Sequence, residues 1–216
     1  MSRPPSTVAD VMSRKVIAVR PGAEFKEIVA AMARWKVTAL PVLEGEGRVI
    51  GIVSEADLLL KEEFRDHRPG LVGQLRRPGA AAKAGSERAE TLMTSPAVTI
   101  APGASLPQAA RLMAAHHVKR LPVVDPHGMI QGVVSRSDLL KVFLRPDESL
   151  ADDIRRDVID RLFPLSHHQV HVRVESGVVT LSGDVSDGAL APVAERLARA
   201  VEGVVNVRCE LTAEET

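Results

Sequence analysis

The residues of this chain best suited to chemistry are two Ser–Asp pairs of identical spacing. Ser54 and Asp57 follow Gly51-Ile52-Val53, and Ser135 and Asp138 follow Gly132-Val133-Val134. In each case a short β-branched strand runs into a helix, with the Ser at the junction and the Asp three residues on. A helix start presents unpaired amide N–H groups and partial positive charge, which suit an anion such as a phosphate. The Ser hydroxyl adds a donor, and the Asp carboxylate can accept from two neighbouring hydroxyls. The same spacing is that of a capping box, although the usual third-position residue is Glu or Gln, and a cap needs no ligand. The two pairs differ in charge. The second has Lys119-Arg120 upstream and Arg136 inside its turn, where the first has Thr38-Ala39 and Glu55. Glu55 would repel a polyphosphate at close range, whereas basic residues near a helix start attract one. The alternative for Arg136 is an exposed residue facing water. On charge alone, the second pair is expected to be the stronger anion site.

Both pairs sit inside a longer repeat with an offset of 81 residues. Pro21-Gly22-Ala23 returns as Pro102-Gly103-Ala104, Met32-Ala33 as Met113-Ala114, and Leu40-Pro41-Val42 as Leu121-Pro122-Val123. Without a gap, 17 of the 49 positions from Val11 to Leu59 are identical to their counterparts. A fixed period of this kind means one supersecondary unit built twice. In the first copy Val16 to Val19 reads as a strand ended by Pro21-Gly22, followed by a helix with Phe25, Ile28, Val29 and Met32 at helical spacing. Leu40 to Leu43 and Val49 to Val53 read as the two strands of a hairpin, and Ser54 opens a second helix. The order is β-α-β-β-α. The second copy repeats it, with strands Ala97 to Ile100, Leu121 to Val124 and Met129 to Val134, and helices from Ser105 and Ser135. Ser105 and Gln108 have the spacing of a capping box. Residues 61–88 hold Pro69-Gly70, Pro78-Gly79 and several basic residues, and read as a loop.

The 28 basic and 28 acidic residues cancel over the whole chain. Residues 1–149 carry 21 basic and 16 acidic, and residues 150–216 carry 7 and 12. A change of sign from +5 to −5 along the chain marks a domain boundary and not a nucleic-acid surface. Aromatic residues make up 2% of the chain and Tyr is absent, which disfavours a base-stacking platform. The single Cys209 excludes an intrachain disulfide, no apolar run approaches a membrane span, and Met1 to Asp10 lacks the apolar core of a signal peptide. A cytoplasmic location is expected.

Past Arg145-Pro146 a different unit begins. Leu150, Ile154, Val158 and Leu162 mark one face of a helix. Val170, Val172 and Val174 alternate with polar residues as a half-buried strand, Ser176-Gly177 is a turn, and Val179 to Gly183 returns. Leu190, Val193, Leu197 and Val201 form a second helical stripe, ended by Gly203. Val205, Val207, Cys209 and Leu211 alternate as a last strand, which makes Cys209 a buried, inert thiol. His167, His168 and His171 lack a Cys or carboxylate at ligand spacing and read as a solvated loop. No nucleophile–base pair and no catalytic carboxylate pair is present, so an enzyme is not expected.

Leu-Pro-Val followed by Gly-x-Val-Ser-x-x-Asp-Leu, in two copies with matched spacing, resembles the tandem cystathionine-β-synthase (CBS) domains of the Bateman module. The α-β-β-α-β unit, through Gly177-Val178-Val179-Thr180-Leu181-Ser182-Gly183 and Gly203-Val204-Val205-Asn206-Val207, resembles the BON domain. The resemblance implies an α+β protein: CBS repeat 1 at 8–60, a basic linker at 61–88, CBS repeat 2 at 89–142 and a BON domain at 148–213. It implies two clefts for an adenosine-containing ligand of the AMP, ADP or ATP class, acting as regulatory ligand and not as cofactor. Thr99, Lys119, Arg120, Leu121, Pro122, Ser135, Arg136 and Asp138 would form the stronger site, and Thr38, Ala39, Leu40, Pro41, Ser54 and Asp57 the weaker one. In each, Asp would hold ribose hydroxyls, Ser would sit near phosphates, and backbone around Leu-Pro would meet the adenine. Family members commonly pair into a flat dimer, so a homodimer through residues 1–142 is expected. A BON association with membranes transfers poorly to a chain without an export signal and with an acidic C-terminal part. The expected function is a non-catalytic sensor whose BON domain recruits an unknown partner. A structural assembly module with vestigial clefts and a nucleic-acid regulator using the basic linker are the alternatives.

Overall fold

The computed structural model describes residues 6–63, 87–164 and 169–213. Thr7–Arg136 form one compact unit, and the described residues from Ser137 onward belong to another. Most of the basic linker, with His167 and His168, lies outside the described residues.

In the first repeat, helices α1 (Val8–Val11) and α2 (Phe25–Trp35) precede strands β1 (Ala39–Glu44) and β2 (Arg48–Ser54) and helix α3 (Glu55–Glu63). The second repeat matches these with α4 (Ala89–Leu92), α5 (Leu106–Ala115), β3 (Arg120–Val124), β4 (Ile130–Ser135) and α6 (Arg136–Leu139). Each strand pair is an antiparallel hairpin, with Ala39 opposite Ser54 and Arg120 opposite Ser135. Ser105 caps α5 as its spacing predicts, reciprocally with Gln108.

The strands expected at Val16 to Val19 and Ala97 to Ile100 shrink to one parallel bridge each, Val19 with Val42 and Ile100 with Val123. Proline explains this. The Val19 N–H donates to the Pro41 carbonyl at 3.0 Å and the Leu43 N–H to the Val19 carbonyl at 3.0 Å. One rung earlier, the ladder would need an N–H from Pro41; one rung later, it would need one from Pro21. Neither exists. Pro122 and Pro102 stop the second copy in the same way.

The repeats exchange their short leading helices. The Val8 N–H of α1 donates to the Ala104 carbonyl at 2.9 Å, in the second repeat. The Ala89 N–H of α4 donates to the Ala23 carbonyl at 2.9 Å, in the first. Ala89 and Leu92 thereby join Ile28, Leu40, Val42 and Val53 in the first repeat's core. The chain after each leading helix then pairs with the opposite hairpin: Thr94 exchanges two backbone hydrogen bonds with Ile52 (2.8 and 3.1 Å), and Ser13 two with Val133 (both 2.9 Å). The repeated glycines of the motif permit this approach. A Cβ on Gly51 would lie 2.3 Å from the Met93 sulfur, and one on Gly132 would lie 2.8 Å from the Ser13 carbonyl oxygen.

In the C-terminal unit, the segment after α6 tightens into a 3-10 helix at Leu140–Leu144. Helix α7 (Asp147–Ile154) runs through a π-turn at Arg155–Ile159 into the short α8 (Asp160–Leu162). Strands β5 (His171–Glu175) and β6 (Val178–Val185) pair antiparallel, helix α9 (Ala191–Arg199) follows, and β7 (Asn206–Ala213) lies parallel to β6. The sheet order is β5-β6-β7. The π-turn inserts a residue into the helical period, so Ile159 and Phe163 enter the core while Leu162, expected on the buried face, stays half-buried. On α9 it is Ala194 and Ala198 that are buried, and Leu197, expected in the stripe, is exposed. Two small residues let that helix sit close to the sheet. Cys209 is half-buried and not enclosed, because β7 is an edge strand; its sulfur lies 3.7 Å from the Ala191 carbonyl.

Asp147 accepts from the N–H groups of Ser176 (2.7 Å) and Gly177 (2.8 Å), fixing the β5–β6 turn. Arg145 donates to the Glu202 carbonyl at 2.7 Å and pairs with Asp153 at 2.5 Å; Arg156 pairs with the same carboxylate. Burial works to raise the Asp153 pKa, but hydrogen bonds and charge from Arg145 and Arg156 outweigh it and hold the carboxyl below its ordinary value.

Candidate functional site

Asp57 is the only buried charged residue among the described residues. It lies one turn into α3, and its Oδ2 accepts from the Ser54 N–H at 2.9 Å and the Ser54 hydroxyl at 2.7 Å. The bond from the Ser54 N–H is one half of a capping box, with Asp in the place of Glu. The other oxygen, Oδ1, accepts from the Thr94 hydroxyl at 3.3 Å, a long bond. Thr94 comes from the second repeat and is placed there by its backbone pairing with Ile52.

A cleft of about 200 Å³ opens at this carboxylate. The first repeat lines it with Thr38, Ala39, Ile52, Ser54, Glu55, Ala56 and Asp57. The second repeat contributes Thr94 and Val98 on one stretch and His117, Val118, Lys119 and Arg120 on another. The latter stretch begins where α5 ends: His117 adopts the left-handed conformation, with φ 54°, and turns the chain into β3. Lys36 does the same at the end of α2, with φ 52°.

The structure therefore distributes the basic trio differently from the expected pattern. Lys119 and Arg120 line the cleft at Asp57, although Arg120 is also the backbone partner of Ser135. Arg136 is not among the lining residues. Its N–H donates to the Lys119 carbonyl at 3.1 Å, and its guanidinium to the Val118 carbonyl at 3.1 Å, so it holds the stretch that carries Lys119 and Arg120. Asp138 is half-buried and pairs with Lys141 at 2.7 Å. It falls in the C-terminal compact unit, whereas Ser135 and Arg136 fall in the unit formed by the repeats.

Among the other expected site residues, Leu40, Pro41, Leu121 and Pro122 are buried. The carbonyls of Pro41 and Pro122 accept from Val19 and Ile100 in the bridges described above. Thr99 is half-buried and absent from the cleft lining, which takes Val98 and Thr94 instead. Neither of these two was anticipated. The offset of 81 pairs Thr94 with Ser13, but only the exchanged pairing shows which hairpin each one meets. Among the described residues no group of three or more His, Cys, Asp or Glu side chains is placed to hold a metal ion, and no helix is long and apolar enough to cross a membrane.

A second, apolar groove of about 680 Å³ lies between α2 and α3, lined by Phe25, Val29, Met32, Val37, Leu58 and Leu59, among others. Val29 and Leu59 are exposed along it.

Comparison with known proteins matches residues 8–62 and 89–145 to the CBS domain and residues 146–215 to the BON domain. The chain is 28% identical over 153 residues to the uncharacterized protein MJ1426 of Methanocaldococcus jannaschii, covering 63% of this chain and 90% of that protein. It is 30% identical over 134 residues to the CBS domain-containing protein YhcV of Bacillus subtilis, covering 62% of this chain and 83% of the other. The crystal structure of CBSX2 in complex with AMP, a CBS-pair protein of Arabidopsis thaliana, superposes with a TM-score of 0.56 at 26% identity, covering 64% of this chain and 96% of that one.

Proposed function

This chain belongs to the CBS-domain family, as two CBS repeats followed by a BON domain, and from that premise we propose that it is a non-catalytic regulatory protein that senses an adenosine-containing ligand. The ligand, of the AMP, ADP or ATP class, binds in the clefts of the CBS pair and acts as a signal, not as a cofactor. The BON domain carries interaction or output toward a protein partner, and the protein works in the cytoplasm.

The observation that carries this reading is the cleft at Asp57, built from both repeats around a buried carboxylate. Asp57 Oδ2 accepts from Ser54, which fixes the carboxylate's orientation, and Oδ1 accepts a long bond from Thr94; a carboxylate held in this way can accept from the neighbouring hydroxyls of a ribose. Ribose hydroxyls donating to an ionised carboxylate form strong, charge-assisted hydrogen bonds. Ala39 and Val98 offer apolar surface for the base. The AMP complex of CBSX2, whose similarity covers the CBS pair, supports an adenosine ligand. The Asp138 motif is the second binding position.

The CBS pair also assembles as a homodimer through residues 1–142, which is supported by the apolar groove with Val29 and Leu59 exposed. Thermal melting of the full chain with AMP, ADP and ATP tests the ligand. A nucleotide held only by the folded state, at one hundred times its Kd, adds about 2.7 kcal/mol and must raise the Tm. No shift with any adenosine compound overturns the reading. Light scattering at micromolar concentration tests the dimer, and a monomer mass rejects it.

A further inference from the structure

We infer that β7, the edge strand of the C-terminal sheet, pairs antiparallel with β7 of a second copy of this chain, in one register centred on Cys209. The inference rests on the reading of the BON domain as an interaction unit, and deepens it by naming the partner and the surface. It does not depend on what the clefts of the CBS pair bind.

The open edge is the first argument. The sheet order β5-β6-β7 gives β7 a neighbouring strand on one side only. The Val207 N–H donates to Asn206 Oδ1 at 2.9 Å and the Val207 carbonyl accepts from Arg199 at 3.5 Å, so the Val207 backbone faces away from β6. The 3.5 Å bond is long enough for a partner strand to replace. Backbone direction alternates along a strand, so Cys209 and Leu211 present their N–H and carbonyl groups to the same open side. The opposite edge is a poorer template. Strand β5 is five residues long against eight for β7, and Arg155 takes its Val172 carbonyl at 3.0 Å.

Side-chain order is the second argument, because it sets the register. Arg208 and Glu210 flank Cys209, and both are exposed. Among the described residues neither forms a salt bridge, whereas Arg173, across Thr180 from Arg208, pairs with Glu175. Antiparallel pairing about Cys209 sets Arg208 opposite Glu210 of the second copy, and Glu210 opposite Arg208 of that copy. The outward-facing backbones then meet as hydrogen-bonded pairs, Cys209 with Cys209 and Val207 with Leu211. Cys209 and Leu211, half-buried in one copy, gain cover from the other. Moving the centre to Arg208 brings two guanidinium groups face to face, and moving it to Glu210 does the same with two carboxylates. Like charges directly opposite are destabilising. Charges that guard this edge against foreign strands thus admit its own copy in one register.

The test uses the full chain carrying Cys209→Ala, to which Asn206→Cys and Thr212→Cys are added. In the inferred register these two positions face each other between copies as a non-hydrogen-bonded pair about 4.5 Å apart, within the roughly 4.4–6.8 Å that a disulfide spans. Within one chain the extended strand holds them roughly 20 Å apart, too far to bridge. Oxidised glutathione takes up the electrons and protons that the paired thiols lose. It converts this chain to a covalent dimer about tenfold faster than a chain with either new cysteine alone. Adding Arg208→Glu slows the cross-link about tenfold, and adding Glu210→Arg as well restores it, because the charges are then exchanged and not removed. Unchanged melting of the reduced variants certifies their fold. Cross-linking no faster than with one cysteine, or a charge exchange that fails to restore it, overturns the inference. Either result leaves the proposed interaction role of the BON domain to a different partner.

Discussion

Asp57 and Asp138 occupy the same position in a repeated pattern, yet their surroundings are not copies of each other. Asp57 is buried, locked to Ser54 and Thr94, and faces a cleft whose cations come from the second repeat. Asp138 is paired with Lys141, and its helix is four residues long, against nine for α3. It belongs by contacts to the C-terminal unit. Duplication preserves a motif's own residues, but the two leading helices cross over, and the cleft at Asp57 is furnished partly by the other copy. Charge that follows one motif in sequence can therefore act at the other.

The glycines of the two motifs give the largest expected effect and separate the copies by stability. An added Cβ at Gly132 meets the Ser13 carbonyl, which is backbone and cannot rotate away; at Gly51 it meets only the Met93 side chain. Gly132→Ala should cost about 1–3 kcal/mol, and Gly51→Ala less, because a flexible Met can shift. Urea midpoints of the two variants check this, and equal costs would remove the distinction.

The next prediction concerns the unit that holds Asp138. The folded Asp153 carboxyl titrates below its unfolded value, so its contribution is complete above the ordinary carboxylate pKa, near 4, and fades as pH falls through the lowered folded value. Asp153→Asn should lower the C-terminal unit's stability at pH 7 by about 1–3 kcal/mol and flatten its acid sensitivity below pH 4, without moving the melting of the repeats. Melting curves from pH 3 to 7 decide it. A uniform shift of both units would mean that they do not unfold separately.

The smallest effect is at Lys141. Its pair with Asp138 is partly exposed, and such pairs contribute roughly 0–1 kcal/mol. Lys141→Ala should leave the Tm nearly unchanged, yet remove one competitor for the Asp138 carboxylate and raise ribose affinity at that position by a few-fold at most. A fall in affinity would make Lys141 a ligand contact.

Much of this was legible in the residues. The offset of 81 located both hairpins and both Ser–Asp junctions, and alternation with turn residues located the C-terminal sheet. The missing parts share a cause: they depend on which segment meets which. Pro41 and Pro21 can block a ladder only against the particular partner that Val19 and Val42 choose. A helical period cannot announce the π-turn that brings Ile159 and Phe163 inward, nor that Ala194 and Ala198 face the sheet in place of Leu197. Lys119 and Arg120 look like property of the second motif, yet they line the cleft at Asp57 of the first.

The measurement closest to the centre of this account is a calorimetric titration of AMP into wild type, Asp57→Ala and Asp138→Ala at low and high salt. The account predicts that Asp57→Ala removes the tighter, salt-sensitive binding, a loss of about tenfold or more, while Asp138→Ala leaves it in place. A larger loss from Asp138→Ala, or equal losses from both, would contradict it.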